Sequence, residues 1–194
     1  MRKLASIKTI DKLEPIEGAD RIELATVGGW KVVVAKDVGH QEGNKVVYCE
    51  IDSFLPIEPE FEFLRKSSYK KMVDGTEGFR LKTIRLRGQV SQGLILPIQD
   101  AINVMKRKNG EVYHEMLEEG KEVTDLLGII KWEPPVPANL TGTAKGNFPS
   151  FLQKTDEERV QNLTKEYEEF KSGDHQFYVT EKLDGSSATF YYRD

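Results

Sequence analysis

At 194 residues, 38% hydrophobic and 31% charged, the chain is long enough for one domain with a real core and part of a second. Its 28 Lys and Arg against 32 Asp and Glu give a net charge of −4, which excludes a globally basic nucleic-acid coat and leaves a local patch for any polyanion. No apolar run approaches the roughly 20 residues that span a bilayer, no secretion-type apolar stretch follows Arg2-Lys3, and the lone Cys49 excludes a disulfide framework, so no membrane partner and a cytoplasmic or otherwise intracellular setting are expected.

From Leu4 to about Leu96, short β-prone runs alternate with turn signals, which predicts a small barrel or sandwich. Ile22 to Val27 and Trp30 to Ala35 flank Gly28-Gly29, a two-residue loop suited to a tight hairpin. Lys45 to Ile51, Phe79 to Arg87 and Gly93 to Pro97 read as further strands, and short helices are expected over Pro97 to Met105 and Val123 to Leu127. Composition then shifts: residues 132–149 are rich in proline and glycine and read as a linker between an N-terminal module, 1–131, and the start of a second domain, 150–194. There Thr155 and Glu158 have capping-box spacing, predicting a helix to about Phe170 that stops at Ser172-Gly173, followed by strands over Gln176 to Glu181 and Ala188 to Tyr192. A helix and two strands hold no core of their own. Their apolar residues, Phe148, Phe151, Leu152, Leu163, Tyr167, Phe170, Phe177, Val179, Phe190 and Tyr192, are expected to bury against the barrel or a second copy of the chain, so self-association is a further expectation.

Between those last two runs lies Glu181-Lys182-Leu183-Asp184-Gly185-Ser186-Ser187. Lysine is a nucleophile only when deprotonated, so a lysine that attacks phosphorus needs a desolvated or cation-rich pocket to lower its pKa from about 10.4. A strand end would hold the Lys182 amine rigidly, Asp184 could hold a metal-bound water or steer the amine, and Gly185 lets the turn pass close to a ligand. The same string is equally a plain Asp-Gly hairpin turn beside an exposed lysine. A second feature is charge: between Arg65 and Arg87 eight basic residues (Arg65, Lys66, Lys70, Lys71, Arg80, Lys82, Arg85, Arg87) face Asp74 and Glu77. Interleaved Tyr69 and Phe79 suit base stacking, and Arg85-Leu86-Arg87 would put both arginines on one strand face. A solvated strand face accounts for the same charges. Other chemistries fail: His40, His114 and His175 are scattered, no serine has a nucleophile-elbow context, and the glycines and lysine of residues 142–146 lack phosphate-loop spacing.

Several blocks resemble one family. Residues 2–7, Pro15-Ile-Glu-Gly-Ala-Asp-Arg-Ile-Glu-Leu-Ala, Gly29-Trp-Lys-Val-Val-Val, Glu50-Ile-Asp-Ser-Phe-Leu-Pro, Ile84-Arg-Leu-Arg-Gly-Gln-Val-Ser-Gln-Gly-Leu, Phe148-Pro-Ser-Phe, Lys154-Thr-Asp-Glu-Glu-Arg-Val-Gln-Asn and the Lys182 motif are similar to the N-terminal portion of the fifth family of ATP-dependent RNA ligases, the Deinococcus and Naegleria type. The resemblance implies a mainly β fold with α: an OB-like nucleic-acid-binding barrel, then the first helix and strands of a nucleotidyl transferase domain of the ATP-grasp-like ligase kind. It implies ATP and Mg²⁺ or Mn²⁺ as cofactors, and nicked or broken RNA duplex, with or without DNA, as partner. Lys182 would be the nucleophile, Glu181 an adenine-side contact, Asp184 a metal partner through water, and Gly185, Arg159 and Gln161 nucleotide contacts. Arg80, Lys82, Arg85, Arg87, Lys70 and Lys71 would meet RNA.

The family's downstream motifs, an arginine for ribose, acidic metal ligands and a late lysine pair, are not among these residues, so the chain reads as the N-terminal part of such a ligase and is not expected to ligate alone. The alternatives are a non-catalytic nucleic-acid-binding OB module, and a related DNA ligase or capping-type nucleotidyl transferase. Those enzymes typically place the barrel after the catalytic domain.

Overall fold

The computed structural model describes residues 3–112, 114–135, 142, 151–152, 159–173, 175–181 and 188–192. The first strands are β1 (Ala5–Thr9), β2 (Lys12–Pro15), β3 (Ile22–Val27), β4 (Trp30–Ala35) and β5 (Lys45–Cys49). β2, β3 and β4 form an antiparallel meander in which Val27 pairs with Trp30 across Gly28-Gly29. Both glycines have positive φ, 53° and 81°, the two-residue turn whose twist matches its strands. β1 pairs with β5, and β5 with β11 (Leu94–Pro97). β10 (Gln89–Ser91) runs beside β4, where Ser91 Oγ accepts the Val33 N–H at 3.0 Å and the Gln92 N–H donates to the Lys31 carbonyl at 2.8 Å. The order β1–β5–β11/β10–β4–β3–β2 thus returns to the segment that began it, which closes an OB-type barrel.

β5 is buried on both faces because it serves two cores. Val46 and Tyr48 point into the barrel with Ile10, Ala25, Val27, Trp30, Val32, Val34 and Ile95. Val47 and Cys49 face the second cluster, where helix α2 (Ile98–Asn109) contributes Ala101, Val104 and Met105 at i, i+3, i+4 spacing. α2 ends at Gly110 (φ 84°), and basic residues in its last turn suit the helix dipole. Arg107 also pairs there with Glu58 and Glu60, holding the Glu60 carboxyl below its usual range. The outer edge of β1 is laced by residues 120–124, and Thr124 Oγ1 accepts the N–H groups of Leu4 and Ala5 at 3.2 and 3.1 Å.

Residues 50–88 are a long insertion between β5 and β10. They hold β6 (Ser53–Leu55), a 3₁₀ turn Pro59–Leu64, helix α1 (Arg65–Ser68), β7 (Tyr69–Lys71), β8 (Glu77–Arg80) and β9 (Ile84–Leu86). β6, β7 and β8 make a second sheet with β12 (Ile130–Lys131). Trp132, at the head of the expected linker, is buried against Phe54, ring centroids 5.4 Å apart, and its backbone N–H donates to the Asp52 carbonyl.

The fold corrects several expectations. Phe79 to Arg87 is not one strand: β8 pairs with β6 and β7 whereas β9 pairs with β10, and Lys82-Thr83 bridge the two ladders. Val123 to Leu127 makes one hydrogen-bonded turn, since Gly128 (φ 65°) and the return to β12 stop it. The C-terminal helix is α3 (Thr164–Ser172), preceded by a 3₁₀ turn Val160–Asn162 held against the barrel, and the Thr155 cap lies outside the described residues. Gln176 to Glu181 and Ala188 to Tyr192, where described, form no strand, because no neighbouring strand offers them a ladder among the described residues. Their apolar side chains are not buried on the barrel either: Val179 is 98% and Phe190 92% exposed, and among the described residues of the named set only Leu152 and Leu163 are half-buried, Phe148 lying outside the described residues. No helix among the described residues is long and apolar enough to cross a membrane.

Two predictions follow from the packing. Gly93 has φ 108°, and a Cβ there would lie 2.5 Å from the Cys49 carbonyl oxygen, whereas Gly75 (φ 91°) faces open space. Gly93→Ala should therefore cost at least ~3 kcal/mol in urea unfolding and Gly75→Ala ~1 kcal/mol, and equal costs would contradict the close approach. Burial pushes the Cys49 thiol up to about 12 from 9.0. The folded state keeps a proton that the unfolded state loses, so this contribution is intact below pH 9 and is lost as pH rises toward 12. Native protein at pH 8 should resist iodoacetamide at Cys49 and react once unfolded, as mass spectrometry would report.

Candidate nucleic-acid interface

The insertion that carries the basic segment emerges where the loop between β2 and β3 also ends. Arg87 (φ 49°) and Gly88 (φ 81°) form the turn of the β9–β10 hairpin, which pairs Leu86 with Gln89. Two successive positive-φ residues give the turn its hand, and an arginine there stores some backbone strain. Arg85, Leu86 and Arg87 are all exposed at the tip. Arg87 reaches across to Gly18, Ala19, Asp20, Arg21 and Ile22, and together they line an open cleft of about 340 Å³. The Arg21 carbonyl accepts the Lys36 N–H, which fixes the floor of that cleft to the end of β4.

The other predicted contacts divide by environment. Lys70, Lys71 and Lys82 are exposed, with Lys71 Nζ 3.4 Å from Glu77. Arg80 is half-buried, its guanidinium 5.2 Å from the Trp132 ring centroid and 3.4 Å from Asp52 Oδ1. Arg65 is taken up structurally by a two-bond pair with Glu62, both at 2.6 Å, over the rings of Tyr69 and Phe79. This pair holds the Glu62 carboxyl below, and the Arg65 guanidinium above, their ordinary values.

Two readings of this region are corrected. Phe79 is fully buried and Tyr69 packs edge-on against it, so neither ring is a stacking platform for bases. Arg85 and Arg87 do not share a strand face, because Arg87 has left the strand for the turn. Sequence reasoning missed Arg21. The signal available was the turn-prone Glu-Gly-Ala-Asp-Arg between two strands, a loop that only barrel closure brings beneath Arg87.

On the nucleotide side, Lys182, Asp184 and Gly185 lie outside the described residues, and Glu181 is exposed. Arg159 and Gln161 are turned to the barrel: the Arg159 guanidinium stacks 5.2 Å from the Trp30 ring centroid, and Gln161 packs at Gly29. Between them and α3, Asn162 Nδ2 donates to Glu50 Oε1 at 2.6 Å. Among the described residues no group of three His, Cys, Asp or Glu could hold a metal ion.

A family model described as an OB-fold domain matches residues 4–98. No curated protein matches the chain. Among solved structures, Naegleria gruberi RNA ligase with PPi matches at 42% identity and a TM-score of 0.67, over 87% of this chain and 47% of that one. A mutant of the same ligase with AMP and Mn matches at 43% and 0.69 over 88% and 47%, and a mutant with ATP and Mn at 43% and 0.65 over 87% and 46%. The chain spans about half the length of these relatives. By sequence and by fold, the chain is similar to about half of the Naegleria RNA ligase, and its residues 4–98 match an OB-fold domain.

Proposed function

We propose that this chain is the N-terminal part of an ATP-dependent RNA ligase in which Lys182 forms a lysyl-AMP intermediate and which seals RNA 3′-hydroxyl to 5′-phosphate ends. The observation that carries the reading is 42% identity over 87% of the chain to the Naegleria ligase, together with the Lys182-x-Asp184-Gly185 motif. In the first step the deprotonated Lys182 Nζ attacks the α-phosphorus of ATP, an N–P bond forms, the α–β anhydride breaks and pyrophosphate leaves. AMP then passes to an RNA 5′-phosphate, and the 3′-hydroxyl displaces it. Mg²⁺ or Mn²⁺ offsets phosphate charge when bound; Asp184 is the proposed partner for it through water, with Glu181 and Gly185 on the nucleotide. The domains divide at the linker 132–149, the natural setting is intracellular, and the 194 residues alone do not seal RNA. Their exposed apolar run beyond α3 favours self-association, which sedimentation over a concentration series would detect.

RNA is proposed to bind the cleft between the 16–21 loop and the β9–β10 hairpin, where OB barrels commonly take oligonucleotides. Arg87, Arg85, Lys82, Arg80, Lys70 and Lys71 supply charge from the insertion, and Arg21 from the facing loop.

In the natural protein carrying this sequence in full, ATP with Mg²⁺ or Mn²⁺ should yield an AMP adduct on a Lys182 peptide. Lys182→Ala and Lys182→Arg should both abolish it, since guanidinium stays protonated and cannot attack. An adduct on the alanine variant would overturn the assignment. Neutralising Arg85 and Arg87 together should weaken RNA binding and flatten its salt dependence by up to about two counterions, while leaving the adduct intact. Unchanged affinity would reduce the patch to a solvated surface.

A further inference from the structure

One end of the barrel is occupied by the chain's own later residues. The β3–β4 turn presents Gly29 without a side chain, and a Cβ built there would come within 3.3 Å of Gln161 Cγ. Beside it Trp30, 1% exposed, receives the Arg159 guanidinium on its face. Trp30 is in turn stacked on Tyr48 at 5.7 Å, and the Tyr48 hydroxyl donates to the Gln92 carbonyl at 2.8 Å, so the platform under Arg159 is locked by the barrel core. Immediately after β5, Glu50 is 3% exposed and accepts the Asn162 amide. A carboxylate that deep is tolerated where hydrogen bonds meet it, and Asn162, 112 residues away in sequence, supplies one.

We propose that Gly29, Trp30 and Glu50 form a docking face for residues 159–162, and that Trp30 and Glu50 are positioning residues for Arg159 and Gln161 in the nucleotide step. The docking stands on these contacts alone; its effect on nucleotide chemistry rests on the ligase reading above. The barrel then has a second task besides holding RNA. Three successive chain-distant contacts within four residues fix both the position and the rotation of the segment that leads into α3. Loosening them would let Arg159 and Gln161 wander before any RNA arrives, which raises the ATP concentration needed and not the ceiling of the reaction.

Hydrogen exchange on the 194-residue chain reads the docking directly, at the amides of Asn162, Leu163 and Tyr167, which are bonded to Arg159, Val160 and Leu163 carbonyls. Asn162→Asp, which sets two carboxylates against each other, should speed exchange at these amides about tenfold or more, with β3 and β4 unchanged. Combining it with Glu50→Gln restores an amide-to-carboxylate bond in the opposite sense and should restore protection. Unchanged exchange in Asn162→Asp, or no recovery in the pair, overturns the docking. In the full natural protein, Asn162→Asp should raise the ATP KM for lysyl-AMP formation several-fold at near-constant maximal rate, and the pair should recover it. Altered exchange with unaltered ATP dependence overturns the positioning role and leaves the ligase reading standing. If the parent forms no adduct, the ligase reading and the positioning role fall together, and exchange still judges the docking.

Discussion

Everything in the barrel is referred to β5, which from Val46 to Cys49 is buried on both faces. Its alternation sends Val46 and Tyr48 inward and Val47 and Cys49 toward α2, so the closed barrel and the helix-covered layer share one backbone. Full burial of such side chains is worth about 1.5–3 kcal/mol each, and both clusters draw on this one strand. Its two edges are satisfied by β1 and β11, which leaves it no freedom of register. Gly93 permits the close approach of the chain entering β11, since any side chain there would meet the Cys49 carbonyl.

From that fixed strand two working ends are derived. Tyr48 fixes Trp30 at the Gly28-Gly29 end of the β3–β4 hairpin, and Glu50 continues from β5 to the same place. The other end of the hairpin, about 17 Å away by strand rise, is tied by Lys36 to Arg21 and overhung by Arg87. The first end meets uncharged and cationic groups of the same chain. The second exposes Arg21, Arg85 and Arg87. A barrel built this way would separate the proposed grip on RNA from the contact with the following segment, so a substitution at one end need not disturb the other.

The barrel was largely legible in the sequence because its signals are local. Gly28-Gly29 between two β-branched runs marks the hairpin to the residue, and Lys45 to Ile51 marks the strand that the structure keeps over Lys45–Cys49. Where partners are distant the reading failed: nothing within Phe79 to Arg87 tells that its halves belong to different ladders, nor that Phe79 is the centre of a core. The turn at Arg87-Gly88 was hidden because a positive φ at arginine is set by the hairpin around it. Arg159 and Gln161 drew notice in the sequence, but their placement on Trp30 and Gly29 depends on contacts more than a hundred residues away. The Lys182 motif by itself reads equally as a nucleophile's setting or as an Asp-Gly hairpin turn, and it lies outside the described residues.

The division of the barrel into two ends is most directly tested by photo-crosslinking RNA that carries 4-thiouridine to the protein and mapping the joined peptides by mass spectrometry. Crosslinks should fall within residues 16–22 and 84–91, on either side of the cleft that Arg21 and Arg87 share. Crosslinks concentrated instead at Gly29, Trp30 and residues 159–163 would contradict the division, because RNA would then occupy the face assigned to the chain itself.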